Sequence, residues 1–215
     1  MTDPTQERLL EAAAEVFAEK GFKAASIRLI CKQAGANIAA VNYYFGDKER
    51  LYIEAVKFAH RGCVEGMHFP QWTPETPAID KLRDFIRMMV TNMMTPRSVA
   101  STQLMMRELA HPTAACVEVV RDYIRPIAGR LGAIIAELRP DLPEQQRILV
   151  AFSVVGQCLF YRTQRPVASL LIGEDAFAKL SVDVVAEHIS GFTLRALGVD
   201  EPSRPTPVPT QGVRS

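Results

Sequence analysis

The sequence predicts an all-α protein in two parts: an N-terminal three-helix unit holding a helix-turn-helix, joined by a long fourth helix to a larger helical domain. Three observations carry this. Apolar residues recur at three-and-four spacing along most of the chain, and no stretch alternates as a half-buried strand does. Near the N-terminus, short apolar segments are separated by a capping residue and a glycine rather than by long loops. The 215 residues, 48% of them hydrophobic, are enough for one generous domain or a small one attached to a larger.

The first helix carries Leu9, Leu10, Ala13, Val16 and Phe17 on one stripe. Lys20 suits its C-terminal dipole, Gly21 accepts a left-handed conformation, and Phe22 folds back on the last turn. Ser26 is an N-cap for a second helix with Ile27, Ile30 and Ala34, which stops at Gly35. Asn37 caps a short third helix from Ile38 to Tyr44. Gly46 and Asp47 then restart the chain into a long fourth helix beginning at Lys48.

After Gly66 a proline-rich connector, "HFPQWTPETP", leads into two methionine-rich helices, Ala78–Met94 and Val99–Ala110, the second stopped by His111-Pro112. Val117, Val120, Ile124, Ile127, Leu131, Ile134 and Leu138 predict one helix kinked at Pro126, whose missing donor leaves the carbonyl of Asp122 unpaired. Pro143 reads as the N1 residue of the next helix, and a last helix spans Val182 to Leu197. The predicted domains are residues 1–47, then 48–199 with 48–66 as the connecting helix, then a proline-rich disordered tail over 200–215.

A net charge of +1 gives no global signal for nucleic acid, but the distribution does matter. Asp3, Glu7, Glu11, Glu15 and Glu19 make the first helix acidic; Lys20, Lys23, Arg28 and Lys32 follow before the next carboxylate at Asp47. The four cysteines form no CxxC pair and no signal peptide is apparent, so a reduced, cytoplasmic protein is expected. The most apolar run, Ile148–Phe160, is well short of the roughly 20 residues that span a bilayer.

On the short third helix, Val41 and Phe45 lie four apart and face a small core with Ile30, Ala34 and Phe17. Ala39, Ala40, Asn42, Tyr43 and Tyr44 are left on the remaining faces. Small alanines allow close backbone approach to a groove, Asn42 offers a donor and an acceptor to an adenine edge, and tyrosine hydroxyls reach phosphates. Lys48, in the first turn of the fourth helix, suits a phosphate oxygen. Tyr44 has a second reading, packing against Leu51, and Arg28 a second one, a solvated helix face.

At these residues the chain resembles the DNA-binding domain of the TetR family of bacterial regulators. The similarity runs through "EAAAEVFAEKGF", Ser26-Ile27-Arg28, Ala34-Gly35 and Val41-Asn42-Tyr43-Tyr44-Phe45 with Lys48-Glu49 and Leu51. It implies that Ser26 and Arg28 meet backbone and base edge, and that Ala39, Ala40, Asn42, Tyr43 and Tyr44 occupy the recognition helix. Most of the family has tyrosine directly after the Val41 position; Asn42 departs from this, so a backbone contact there gives way to a base contact. "RELAHPT" and "GQCLFYR" resemble the CecR-like branch of the family.

The resemblance implies a ligand cavity among the central helices. Methionines fill irregular gaps and also suit a pocket for varied apolar ligands; Met89, Met93, Met105 and Phe152 are the candidate lining. Ile148–Phe160 is apolar around most of its circumference, and with Val184, Val185, Ile189, Phe192 and Leu197 of the last helix it predicts a four-helix homodimer interface, Gly156 permitting close approach. His60, Cys63 and His68 lack a fourth ligand for a metal site, and no nucleophile elbow or phosphate loop is present, so neither a metal, a cofactor nor an enzyme is expected. The expected function is a homodimeric repressor binding a pseudo-palindromic DNA operator and released by a small-molecule effector. A helical carrier with a vestigial helix-turn-helix is the alternative, and would show no salt-sensitive duplex binding.

Overall fold

The computed structural model describes residues 3–64 and 66–199, and every regular element in them is helical. The tail expected to be disordered, 200–215, lies outside the described residues. Asp3 caps α1 (Pro4–Ala24), its carboxylate accepting the N–H of Thr5 at 2.7 Å, with Pro4 in the first turn. Gly21 takes φ 72° inside this element, so the stripe of Leu9, Ala13, Val16 and Phe17 ends where expected but a further turn runs on to Ala24. Then come α2 (Ile27–Ala34), α3 (Ile38–Phe45) and α4 (Lys48–Val64). After the connector follow α5 (Ala78–Met94) and α6 (Val99–Ala110).

Next is the largest departure from the expected kinked helix. α7 (Ala114–Val119) passes through a π-helical turn, Val120–Ile124, into α8 (Arg125–Leu138). The N–H of Arg125 reaches back to the carbonyl of Val120, and this wider turn relieves the clash between the Pro126 ring and the carbonyl four residues earlier. An extra residue in a turn shifts the phase of the buried face by about 100°. Ala115 and Val119 are therefore buried before the turn and Leu131, Ile134 and Ile135 after it, while Val117, Val120 and Ile124 of the expected stripe stay exposed.

Pro143 is the N-cap of α9 (Glu144–Thr163) rather than its first residue; its carbonyl accepts from Gln146 and Arg147. Two short helices that the periodicity did not single out, α10 (Arg165–Ile172) and α11 (Glu174–Ala178), precede α12 (Val182–Ala196).

Two cores result. The first joins α1 to α4 and includes Leu104 of α6 with Ala115 and Val119 of α7. In the second, α5 packs against α8, α9 and α12 around Leu82, Phe85, Ile86, Leu131, Val154 and Ile189. Each fully buried large side chain contributes about 1.5–3 kcal/mol relative to exposure. No helix of the described residues is long and apolar enough to cross a membrane.

Candidate nucleic-acid interface and inner cavity

Three side-chain caps fix the turn between α2 and α4. The Ser26 hydroxyl accepts from the N–H of Leu29 at 3.2 Å, Asn37 from Ala40 at 2.8 Å and Asp47 from Arg50 at 2.8 Å. Gly35 (φ 62°) ends α2 in the left-handed region, and the N–H of Ala36 closes onto the carbonyl of Cys31 at 2.9 Å. Val41 and Phe45 bury one face of α3. Its other side presents exposed Ala39 and Asn42, half-buried Ala40, and Tyr43 at 82% exposure. Ser26 and Arg28 are exposed beside it at the start of α2.

Tyr44, with its two sequence readings, and Lys48, with its one, both have partners that the sequence did not anticipate. The Tyr44 hydroxyl donates to the Asp3 carboxylate at 2.7 Å, tying α3 to the cap of α1, and its ring meets that of Tyr43 edge-on at 5.0 Å. That bond holds the Asp3 carboxyl below its ordinary value and raises the Tyr44 phenol. The Lys48 ammonium sits 4.8 Å over the Phe22 ring and 3.4 Å from the carbonyl of Lys23, at the N-terminus of α4. Phe22 in turn meets Tyr52 at 5.2 Å, and Tyr52 stacks edge-on to Phe17 at 4.9 Å.

From Tyr52 the contacts leave the head. Its hydroxyl donates to the buried carboxylate of Glu108 on α6, which also accepts from the N–H of Thr113 at 3.2 Å. Burial and this bond push the Tyr52 phenol well above its usual range. The neighbouring Arg107 guanidinium donates to the carbonyl of Ala18 at 3.3 Å, near the end of α1. It lies so close to Gly21 that a Cβ there would meet Nη1 at 2.6 Å. Arg50 and Lys57 of α4 pair with Glu118 of α7 at 2.7 and 3.0 Å, and Lys57 also reaches Asp122 at 3.1 Å. Glu108 was not singled out from sequence, yet a signal exists: it lies four residues after buried Leu104, a carboxylate on an apolar face, where it requires partners.

A cavity of about 100 Å³ lies between α4, α5, α6 and α9. Met93 and Met105 line it, with Met106, Leu109 and Leu159. Met89 does not: it is buried in the second core. Neither does Phe152, which stands 69% exposed on the outer face of α9. Met89 lies one turn before Met93 on the same face of α5, deeper in the second core, while Phe152 lies opposite buried Val154 on α9. His60 and Arg162, which the sequence did not assign to the cavity, also border it, though the surface it offers is almost wholly apolar. Arg162 donates to the carbonyl and side-chain oxygen of Asn92 and lies 3.4 Å from the Met93 sulfur. His60 Nε2 is buried without a hydrogen-bond partner. Burial, and then the Arg162 charge, push that imidazole down to about 4. Among the described residues no three His, Cys, Asp or Glu side chains gather as a metal site.

Comparison with known proteins gives two family matches. Residues 9–55 match the family of bacterial regulatory proteins known as tetR, and residues 78–197 match the C-terminal domain of the HTH-type transcriptional dual regulator CecR. The CecR dual regulator of Shigella flexneri is 28% identical over 204 residues, spanning 87% of this chain and 89% of its own. The regulator UidR of Escherichia coli is 35% identical over 81 residues, 34% of this chain and 41% of that protein. A TetR-family regulatory protein from Rhodococcus shares the fold at 19% identity and TM-score 0.65, over 93% of this chain and 100% of that one.

Proposed function

Since the chain belongs to the TetR family and carries a CecR-type C-terminal domain, we propose that it acts as a homodimeric repressor released from an inverted-repeat operator by a small molecule in the inner cavity. As a member of that family it is a DNA-binding transcriptional regulator. The observation that carries the reading is the outward face of α3, where Ala39, Asn42 and Tyr43 are exposed on a rigidly capped helix and Tyr43 covers no core.

In this reading α3 enters the major groove, its alanines allowing close approach, Asn42 meeting a base edge and Tyr43 a phosphate. Ser26 and Arg28 add contacts from α2. Lys48 supports the backbone contact from the start of α4, and Tyr44 positions α3 through Asp3 rather than reaching out. One short helix reads only a few base pairs, so two copies are needed. The surface for pairing is the outer face of α9 with that of α12: Leu149, Phe152 and Phe160 are exposed on the first, Val184 and Phe192 on the second. Gly156 between them has open space where a side chain would stand.

Release follows from which helices touch the cavity. Met105, Met106 and Leu109 of α6 line it, while Arg107 and Glu108 of the same helix hold α1 and Tyr52. A ligand that displaces α6 shifts the head, changing the separation of the two reading helices. A coupling of roughly 1–3 kcal/mol is ordinary for such linkage, and DNA must weaken the ligand by the same factor. The test is selection of bound genomic fragments by purified protein. The reading expects an inverted repeat with half-sites on one DNA face and affinity that falls steeply with salt. Tight binding of a single asymmetric half-site by a monomer refutes it.

A further inference from the structure

We infer that α10 is an exchanged arm whose apolar stripe docks on a second copy of this chain, beside the α9 contact; this rests on the homodimer reading. Pro166 lacks the N–H that would continue α9, and the chain bends at Gln164. The ladder resumes at once, the N–H of Ala168 donating to the carbonyl of Gln164 at 2.8 Å. Gly173 (φ 85°) then turns the chain into α11. The buried residues of this hairpin are Ala168 and Ser169 of α10 and Phe177 of α11, with the Arg165 guanidinium 5.3 Å over the Phe177 ring. Val167, Leu170 and Leu171, at three-and-four spacing, form the apolar stripe, yet Leu170 is 85% and Leu171 82% exposed. A surface helix normally turns such a stripe to the core. Here the small residues face inward and the leucines outward, and α10 packs mainly against α9 and α11.

Continuity with the α9 face names the occupant. Phe152, Gly156 and Phe160 follow one another at four-residue spacing on that helix, and the bend at Gln164 is the next step of the series. From Gly156 to Gln164 is about 12 Å along the axis, and α10 adds about 12 Å more. A two-fold partner that meets α9 at Gly156 therefore lies within reach of the leucines. Area points the same way. A large apolar side chain offers on the order of 100 Å², so the five exposed on α9 and α12 supply roughly 500 Å² per copy. Obligate homodimers bury from about 1,000 Å² per partner, roughly two thirds of it apolar, and the stripe of α10 makes up the difference. Other occupants fit less well. The nearby charges are Arg165, held over Phe177, and the acidic Glu174 and Asp175, which give no basic rim for an anionic lipid surface. Residues 200–215 contain only Val208 and Val213 as large apolar side chains.

Sedimentation of the full-length protein first reads its assembly. A monomer at micromolar concentration sinks the homodimer reading, and this inference with it. For a dimer, exchange between fluorescently labelled copies then reads the dissociation rate. Leu170→Glu combined with Leu171→Glu should speed exchange at least about tenfold, as loss of two central apolar anchors implies, with helix content by circular dichroism unchanged. A photo-reactive phenylalanine analogue in place of Leu171 keeps an apolar side chain and decides the matter should the double variant not fold. After exchange between isotopically light and heavy copies, it should crosslink light chains to heavy ones. A dimer whose exchange rate the double variant leaves unchanged overturns the arm and leaves the dimer standing. So do crosslinks confined to single chains, the absence of any crosslink, or crosslinking to added phosphatidylglycerol vesicles in preference to the second copy.

Discussion

Asn42 and Lys48 lie six residues apart and are held in different ways, which separates their expected effects. Asn42 is exposed on α3. Asn42→Ala should relax preference at one base position, costing about 1–3 kcal/mol on operator and little on random DNA. Lys48→Ala should weaken all sequences alike and lower the salt slope by about one. It should also cost about 0.5–1 kcal/mol in thermal melting, because the ammonium rests on the Phe22 ring. Binding curves at several salt concentrations check both. At this scale the outward residues of α3 were legible because caps and core spacing are local patterns. The Tyr44–Asp3 bond was not, since it joins residues 41 apart and leaves no local mark. His60 gives a pH prediction. Its folded value of about 4 lies below the ordinary imidazole value of 6.5, so between these the unfolded chain binds a proton that the folded chain excludes. Stability should fall as pH drops from 6.5 to 4, by up to about 3 kcal/mol. Urea unfolding across that range should show the slope, and His60→Leu should remove it.

Among the elements, α6 works on two sides, with Met105 and Leu109 toward the cavity and Glu108 toward the head. Glu108→Gln keeps the shape of the side chain but loses the charge-assisted bonds to Tyr52 and Thr113, an expected cost of about 1.5–3 kcal/mol. A double-mutant cycle with Tyr52→Phe should show coupling of at least about 1 kcal/mol; strict additivity would mean that the two act separately. Several helix bounds were legible from a cap or breaker: Ser26, Gly35, Asn37 and the His111-Pro112 stop stand where expected, whereas α1 runs a turn past Gly21 and Pro143 caps α9 instead of opening it. The π-turn was not, because a proline announces a disturbed ladder without saying whether the helix bends or widens. One added residue then turned Val117, Val120 and Ile124 outward, so a correct period gave the wrong buried set.

At the scale of the whole molecule, pairing rests on α9 and α12. Phe152→Glu places a charge in the middle of the proposed two-fold contact, which is strongly unfavourable when desolvated. Sedimentation should show monomers, circular dichroism an unchanged helix content, and anisotropy a loss of operator affinity; a variant that remains dimeric would place the interface elsewhere. The cavity itself was only half legible, because Met93 and Met105 converge there from α5 and α6 whereas the partner positions His60 and Arg162 depend on how α4 and α9 are rotated. The shared first core has a practical side for anyone building hybrid biosensors from this protein. Grafting a foreign head onto residue 48 leaves Leu104, Ala115 and Val119 facing a surface they were never shaped for, and asks Arg107 to find a new carbonyl where Gly21 once made room. Such a chimera should remain folded in each half and yet respond to nothing, until the inner face of α6 and α7 is transplanted with the head.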